Sequence, residues 1–117
     1  MDKINLNGKD REIPKKPQYY VRKMNYQGSL MINICDEELL GKKISNGSLN
    51  VDINREFFIE PMDEKQIQDL LKKSSIANLI GNRVIQKSLD WKLAKKDSIK
   101  TISDIPFLMI YKFTKNY

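Results

Sequence analysis

The densest group of side chains that could do chemistry is the run Asp36-Glu37-Glu38, three adjacent carboxylates. Carboxylate oxygens can hold a hard cation such as Mg²⁺ or act as general acid and base. Adjacent residues on a helix point in different directions, however, and acids in the first turn are explained by capping and the helix dipole. Asp63 and Glu64 repeat this pattern. We therefore predict no metal site and no catalytic carboxylate pair.

The single cysteine, Cys35, directly precedes this run, where the dipole of a following helix would stabilise a thiolate. It has no resident base, because the chain contains no histidine and no second cysteine. The lack of histidine also excludes Ser/His/Asp catalytic triads, Cys/His catalytic dyads and zinc sites with histidine ligands. The glycines form neither GxGxxG nor GxxxxGK, so no nucleotide cradle is predicted. We expect a buried apolar role for Cys35, no catalytic residue and no cofactor.

Basic residues are unevenly distributed along the 117 residues, whose net charge is +6. Residues 36–69 carry four bases and nine acids, whereas residues 70–117 carry ten bases and three acids. This asymmetry is expected of a protein that binds a polyanion with one of its faces. Lysine-rich helices that are merely exposed to solvent would produce the same asymmetry. The bases predicted to contact RNA are Lys15, Lys16, Arg22, Lys23, Lys72, Lys73, Arg83, Lys87, Lys95 and Lys96.

Aromatic residues accompany two of these bases near the start of the chain. Tyr19, Tyr20 and Tyr26 are interleaved with Arg22 and Lys23. Such a segment allows base stacking together with phosphate contacts. Half of the rings must face a core, so this signal supports RNA binding only in combination with the basic C-terminal half.

The elements that must position these residues divide the chain in two. In residues 1–18, Pro14 and Pro17 flank two lysines and favour extended chain. We predict a flexible basic arm over residues 1–18 and a single α+β domain over residues 19–117.

Within that domain, hydrophobic alternation predicts a hairpin at residues 19–24 and 30–35 and a last strand at 107–113. Residues 48–53 and 57–59 are predicted to form either two short strands or one kinked strand. A short capped helix is expected at residues 36–41, and a capping box begins another helix at Asp63. A further helix is expected from Ile76 to Trp91, because apolar residues recur there with a period of 3.6. The predicted fold is a small, mostly antiparallel sheet with two or three helices packed to one side.

Two motifs carry a resemblance to a known family. They are Cys35-Asp36-Glu37-Glu38-Leu39-Leu40-Gly41-Lys42 and Ser75-Ile76-Ala77-Asn78-Leu79-Ile80-Gly81-Asn82, the latter followed by Ile105-Pro106. Together they resemble the short archaeal proteins catalogued as domain of unknown function 424, over residues 19–113. The family's histidine near Pro106 is absent here, so no catalytic role for it carries over. The resemblance implies a protein of the archaeal translation apparatus.

Three functions remain open at this point. The leading hypothesis is a non-enzymatic protein that binds ribosomal or other structured RNA, with ribosomal proteins or translation factors as further partners and no membrane. One alternative is a small enzyme or ligand-binding domain built on the CDEELLGK turn, and another is an adaptor whose acidic middle contacts a basic protein. The single cysteine and the lack of an apolar N-terminal segment predict a cytoplasmic location.

Overall fold

The computed structural model describes residues 16–112 of the chain. The strands are β1 (Tyr19–Tyr26), β2 (Ser29–Asp36), β3 (Lys43–Asn46), β4 (Leu49–Asp52), β5 (Glu60–Met62), β6 (Ile76–Ile80), β7 (Lys100–Ile102) and β8 (Ile105–Tyr111). The helices are α1 (Glu64–Lys73) and α2 (Asn82–Asp90), and 3-10 turns lie at Glu37–Leu39 and Lys96–Ser98. The short helix predicted at residues 36–41 is therefore a single 3-10 turn.

Six strands form one sheet in the order β5-β1-β2-β6-β8-β7, and β3 pairs with β4 in a separate hairpin. All pairs in the large sheet are antiparallel except β2 with β6. The α+β class and the mostly antiparallel sheet are confirmed. The sheet is larger than the small one predicted, chiefly because β6 was not recognised as a strand.

The helix predicted from Ile76 to Trp91 is wrong in its first part. Ile76–Ile80 is strand β6 in the centre of the sheet, and α2 begins only at Asn82. Gly81 separates the two elements with a φ of 121°, which no helix contains. Four of the five residues of β6 are apolar and α2 follows almost directly, so this short run matches a helical period by chance.

The start of α1 is as predicted. Asp63 Oδ1 accepts from the Gln66 backbone N–H at 2.9 Å, and the Gln66 side chain accepts from the Asp63 N–H at 2.9 Å. The strand expected at residues 57–59 is instead a turn, since the N–H groups of Phe57 and Phe58 both donate to the Asn54 carbonyl. Strand β5 begins after this turn.

The two faces of the large sheet are covered differently. Both helices pack on one face, where Ile32, Ile34 and Leu79 join Ile67 of α1 and Val84 of α2 in the main core. On the opposite face, the β3–β4 hairpin and residues 53–58 cover a smaller cluster around Cys35, Phe58 and Ile80. The part of this second face formed by β6 and β8 is left open, and it holds the widest cavity described below.

The predicted arm lies outside the described residues except for residues 16–18. Gln18 is held against the domain, because its carbonyl accepts from the Glu37 N–H at 3.0 Å and its N–H donates to the Met62 carbonyl at 3.3 Å. Neither helix of the described chain has the length and apolar character needed to cross a bilayer.

Candidate functional site

Asp36 and Gly81, the central residues of the two motifs, meet at the start of α2. Asp36 Oδ2 accepts from the Arg83 N–H at 2.8 Å, and Oδ1 accepts from the Val84 N–H at 2.9 Å. Gly81 occupies the N-cap position but has no side chain to bind these amides. A Cβ at Gly81 would lie 2.3 Å from Asp36 Oδ2. The end of β2 thus caps a helix distant in sequence, and only glycine permits the approach.

The Asp36 carboxyl is buried, at 1% exposure. Burial raises its pKa, and the hydrogen bonds from the Arg83 and Val84 amides act in the opposite direction. Two of the amides that the N-terminus of α2 would offer to an external anion, those of Arg83 and Val84, are already bound to this carboxylate. The CDEELLGK turn therefore offers no vacant anion cradle at α2.

On the surface beside Asp36, the Arg83 side chain contacts three residues that are distant from it in sequence. Its Nε and NH2 groups donate to the two Glu38 carboxylate oxygens at 3.2 and 2.6 Å, and NH2 also donates to the Gln18 carbonyl at 3.0 Å. The guanidinium lies 5.1 Å from the centre of the Tyr19 ring. The bond from Arg83 lowers the pKa of Glu38, and the pKa of Arg83 is raised in turn. Glu37 is exposed and borders a polar cavity of about 440 Å³ with Lys16 and Arg83.

Cys35 is fully buried in the smaller cluster. Burial raises its pKa to about 12, with a further contribution from the negative charge of Asp36. The sulfur is therefore a neutral thiol at physiological pH, as a packing role requires. The other end of the motif is also structural, since the Gly41 N–H donates to the Ile53 carbonyl and the Ile53 N–H donates to the Lys42 carbonyl.

The bases predicted to contact RNA fall into several groups. Lys23, Arg83 and Lys87 form surface ion pairs with Glu60, Glu38 and Glu64, at 3.4, 2.6 and 2.9 Å. Lys72, Lys73, Lys95 and Lys96 are exposed, and no ion pair joins them to a described residue. Lys15 lies outside the described residues. Of the described bases, Arg22 lies on the sheet face opposite the helices, whereas Lys72, Lys73, Arg83 and Lys87 belong to the helices that pack on the other face.

A row of polar side chains crosses the sheet on the face opposite the helices. Arg22 of β1 is paired with Asn33 of β2, Asn33 with Asn78 of β6, and Asn78 with Met109 of β8. The Asn78 Nδ2 group donates to Asn33 Oδ1 at 2.8 Å. We call Arg22, Asn33 and Asn78 the polar row. Of the motif residues, only Asn78 lies in it.

Arg22 has an unusual environment for an arginine. Its guanidinium lies 4.3 Å from the centre of the Phe57 ring, a cation–π distance. Its Nε is buried and has no hydrogen-bond partner among the described residues. A buried donor without a partner is unfavourable by about 1 to 3 kcal/mol. The polar row therefore carries hydrogen-bonding capacity that the fold itself does not use.

Two adjoining cavities, one bordered by Asn33 and the other by Asn78, share Ile80. The larger, of about 580 Å³, is bordered by Asn78, Lys100, Phe107, Met109 and Tyr111. The smaller, of about 250 Å³, is bordered by Asn33, Asp52, Phe57 and Phe58. We call these cavities together the sheet-face cleft. The hydrogen bond between Asn33 and Asn78 joins them.

The outer end of the sheet-face cleft is apolar and exposed. Met109 and Tyr111 are 49% and 56% exposed, which is high for large apolar side chains on a sheet. Lys95 borders a neighbouring groove of about 230 Å³ that also touches these two residues. Lys95 and Lys100 thus border cavities that Met109 and Tyr111 also line, a combination that suits a ligand with both charged and flat apolar parts.

Sequence reasoning missed most of the sheet-face cleft. Asn33 and Asn78 did carry a signal, since each is a single amide inside an apolar strand, in Ile-Asn-Ile and Ala-Asn-Leu. Lys100, Phe107 and Tyr111 carried none, because their convergence depends on which strands are neighbours. Within residues 16–112, no three acidic, histidine or cysteine side chains lie close enough to hold a metal ion.

Comparisons with known proteins bear on the family and the fold. Residues 24–113 match the family described as "Protein of unknown function (DUF424)". No curated protein matches the chain. A solved structure described as an uncharacterized conserved protein from Methanopyrus kandleri is similar, with a TM-score of 0.71 and 18% identity over 85% of this chain and 95% of that one. At that identity the likeness concerns the fold alone.

Proposed function

We propose that this chain, which belongs to the DUF424 family, is a non-enzymatic RNA-associated protein that holds single-stranded segments of structured RNA in the sheet-face cleft. The proposal includes a cytoplasmic location and an association with the archaeal ribosome or its translation factors. The single observation that carries it is the sheet-face cleft, in which aromatic rings, the Asn33 and Asn78 amides and Lys100 border two adjoining cavities.

The chemistry of the cleft suits unpaired nucleotides. Proteins bind single strands by stacking bases on aromatic rings and by placing cationic side chains along the phosphates. Phe107 and Tyr111 supply ring surface, and Lys100 borders the same cavity. Asn33 and Asn78 form no side-chain hydrogen bond with a described residue other than the one between them. Their remaining donors and acceptors are available to base edges.

The distribution of charge supports a polyanionic ligand. The chain has a net charge of +6, and the lysines beside the cleft, Lys95 and Lys100, have no ion pair with a described residue. Lys72 and Lys73 lie at the end of α1, which is joined to the end of β8 through bonds from Lys112 Nζ to the Leu71 and Lys72 carbonyls. The exposed lysines of α1 therefore add positive charge near the end of β8.

The CDEELLGK turn supports a catalytic or ligand-binding role less well. Its helix N-terminus is bound to Asp36, its thiol is buried and neutral, and Glu38 is paired with Arg83. The Asp36 and Glu38 side chains and the buried thiol are thus accounted for by contacts within the fold. This is why we propose RNA binding at the cleft and no enzymatic activity at the turn.

The test is a fluorescence-anisotropy titration of the full chain with a labelled single-stranded 12-nucleotide RNA of mixed sequence, at several salt concentrations. The affinity should fall steeply with salt, with a slope in log K against log salt of about 0.7 per phosphate contact. The Lys95→Gln/Lys100→Gln variant should bind about tenfold more weakly and with a smaller slope. The control, Lys42→Gln/Lys65→Gln, removes the same charge at exposed positions on the motif turn and on α1.

Equal affinities of the two double variants would contradict the assignment of RNA to the cleft. A complete lack of RNA binding at low salt would overturn the function itself and favour a protein partner for the exposed Met109 and Tyr111 surface.

A further inference from the structure

We infer that the edge of β8 at Met109 accepts an extended peptide from a partner protein as an added strand, and that aliphatic residues alternate with acidic ones in this peptide. The inference goes beyond the proposed RNA function, because it concerns the backbone of a sheet edge and a protein partner. A sheet edge binds a peptide in this way when its N–H and C=O groups are unpaired and pockets for alternate side chains lie beside it.

The backbone of Met109 is the unpaired part of this edge. Strand β7 pairs only with the first three residues of β8, up to Phe107. The Pro106 carbonyl accepts from the Gly81 N–H at the end of β6, so the even-numbered residues of β8 direct their backbone groups to β6. The N–H and C=O groups of Met109 therefore point away from β6, beyond the end of β7. No hydrogen bond joins them to a described residue.

Two cavities flank this edge, one on each face of the sheet. The cavity of about 580 Å³ touches Met109 and Tyr111 on the face opposite the helices. The groove of about 230 Å³ touches Leu93 and Ala94, which pack against the main core on the helical face. Ser98 borders both, so both open beside β8 at the point where the chain turns into β7. A strand added next to Met109 would direct alternate side chains into the two cavities.

The lining of the two cavities indicates which side chains such a peptide carries. Phe107, Met109 and Tyr111 form an apolar wall of the larger cavity, which suits an aliphatic side chain. Lys95 borders the groove on the other face, which suits a carboxylate. Residues 92–100 contain four lysines and one acid, Asp97, and no ion pair joins these lysines to a described residue. Alternating aliphatic and acidic residues therefore match both faces of this edge.

The pairing geometry assigns the backbone contact to the aliphatic residue. We expect an antiparallel strand, since β7 is antiparallel to β8. Two residues that exchange both backbone hydrogen bonds in an antiparallel pair carry their side chains on the same face. The peptide residue opposite Met109 is therefore the aliphatic one that enters the larger cavity. The N–H groups of the acidic residues point outward to solvent.

The experiment uses a fluorescein-labelled hexapeptide of alternating glutamate and valine, titrated against the full chain by anisotropy at one low salt concentration. Two further peptides carry N-methyl groups, one on its valines only and the other on its glutamates only, so that each lacks the donors of one edge. All three have the same charge. The peptide methylated on valine should bind at least tenfold more weakly than the unmodified peptide, and the peptide methylated on glutamate should bind about as tightly.

Variants of the chain test the same contact from the other side. Met109→Pro removes the outward N–H and leaves the hydrogen bonds to β6, so peptide affinity should fall about tenfold. Met109→Ala shortens the side chain but keeps the N–H, and it should lose less. Equal losses in these two variants would contradict a backbone contact. Lys95→Gln should weaken binding about threefold, whereas Lys42→Gln, at an exposed position on the motif turn, should leave it unchanged.

The outcomes are independent of the RNA function, because no RNA takes part in these titrations. Equal affinities of the two methylated peptides would overturn the added strand even if both bind. Loss of binding in the glutamate-methylated peptide alone would support strand addition in the parallel direction. Failure of all three peptides to bind would overturn the inference and leave RNA as the ligand proposed for this surface.

Discussion

The motif junction around Asp36 and Gly81 and the polar row on the open sheet face share two stretches of chain, strand β2 and the segment from β6 into α2, and the row also includes Arg22 of β1. At the junction, both oxygens of Asp36 and both oxygens of Glu38 have hydrogen-bond partners within the chain. In the polar row, Arg22 Nε has no partner among the described residues, and the two asparagine amides bind only each other. The most recognisable motif is thus an architectural device, whereas unused hydrogen-bonding capacity marks the candidate contact surface.

This difference predicts that substitutions at the motif junction lower the free energy of unfolding strongly, whereas substitutions in the polar row lower it only slightly. The largest should come from Gly81→Ala, because the added Cβ would lie 2.3 Å from Asp36 Oδ2 at a φ of 121° that alanine rarely adopts. We expect a loss of about 3 kcal/mol or more in the free energy of unfolding, measured by urea denaturation. Gly47→Ala is the control, since its φ of 65° is also positive but its Cβ would meet nothing within 4 Å. It should lose only about 1 kcal/mol.

Gly81→Ala in an Asp36→Ala background tests whether the two motifs are coupled energetically. Asp36→Ala alone should lose about 2 kcal/mol, because the Arg83 and Val84 amides lose their acceptor. Gly81→Ala should then be less harmful than in the wild type, since the carboxylate it would strike is gone. Strictly additive losses would mean that the junction does not couple the motifs.

Contacts between residues close in sequence could be predicted from the sequence, whereas contacts between distant elements could not. The capping box at Asp63 and Gln66 involves residues three apart, and it was predicted correctly. The capping of α2 by Asp36 joins residues of different elements, so the sequence predicted only that Asp36 would cap a helix nearby. Strand β6 was mistaken for a helix because four of its five residues are apolar, so that a period-2 alternation is not visible in so short a run. The polar row depends on the parallel register of β2 and β6, which no local pattern specifies.

A smaller loss is predicted for Cys35→Ala, which removes a buried sulfur from the cluster between the sheet and the hairpin. We expect about 1 to 2 kcal/mol in the free energy of unfolding and unchanged RNA affinity. The thiol of the folded protein should also react slowly with a disulfide reagent at pH 8, because burial raises its pKa to about 12. Fast reaction without denaturant, or loss of RNA binding in a folded variant, would contradict the packing role.

The ion pair at the junction should contribute less and should depend on pH. Arg83 lowers the pKa of Glu38 in the folded protein, so the pair's contribution is complete above the unfolded pKa of glutamate and is lost as pH falls through the lower folded value. Both side chains are exposed by 40% or more, which limits the contribution to about 1 kcal/mol. The Tm difference between wild type and Glu38→Gln should be present at pH 7 and should shrink below about pH 4. Glu37→Gln, at an exposed neighbouring position, should leave Tm unchanged at both pH values.

The smallest change in stability is predicted for the polar row, where the double variant Asn33→Leu/Asn78→Leu replaces both partners of one hydrogen bond. Removal of both partners together is nearly neutral, since neither is left unsatisfied, and we expect a change within about 0.5 kcal/mol. RNA affinity should nevertheless fall at least tenfold, because the variant presents no amide to a base edge. The two quantities are measured on the same preparation, by urea denaturation and by anisotropy with the 12-nucleotide RNA. A stable variant with unchanged RNA affinity would mean that the open face does not bind RNA through its amides, and a strongly destabilised one would mean that the row supports the fold as the junction does.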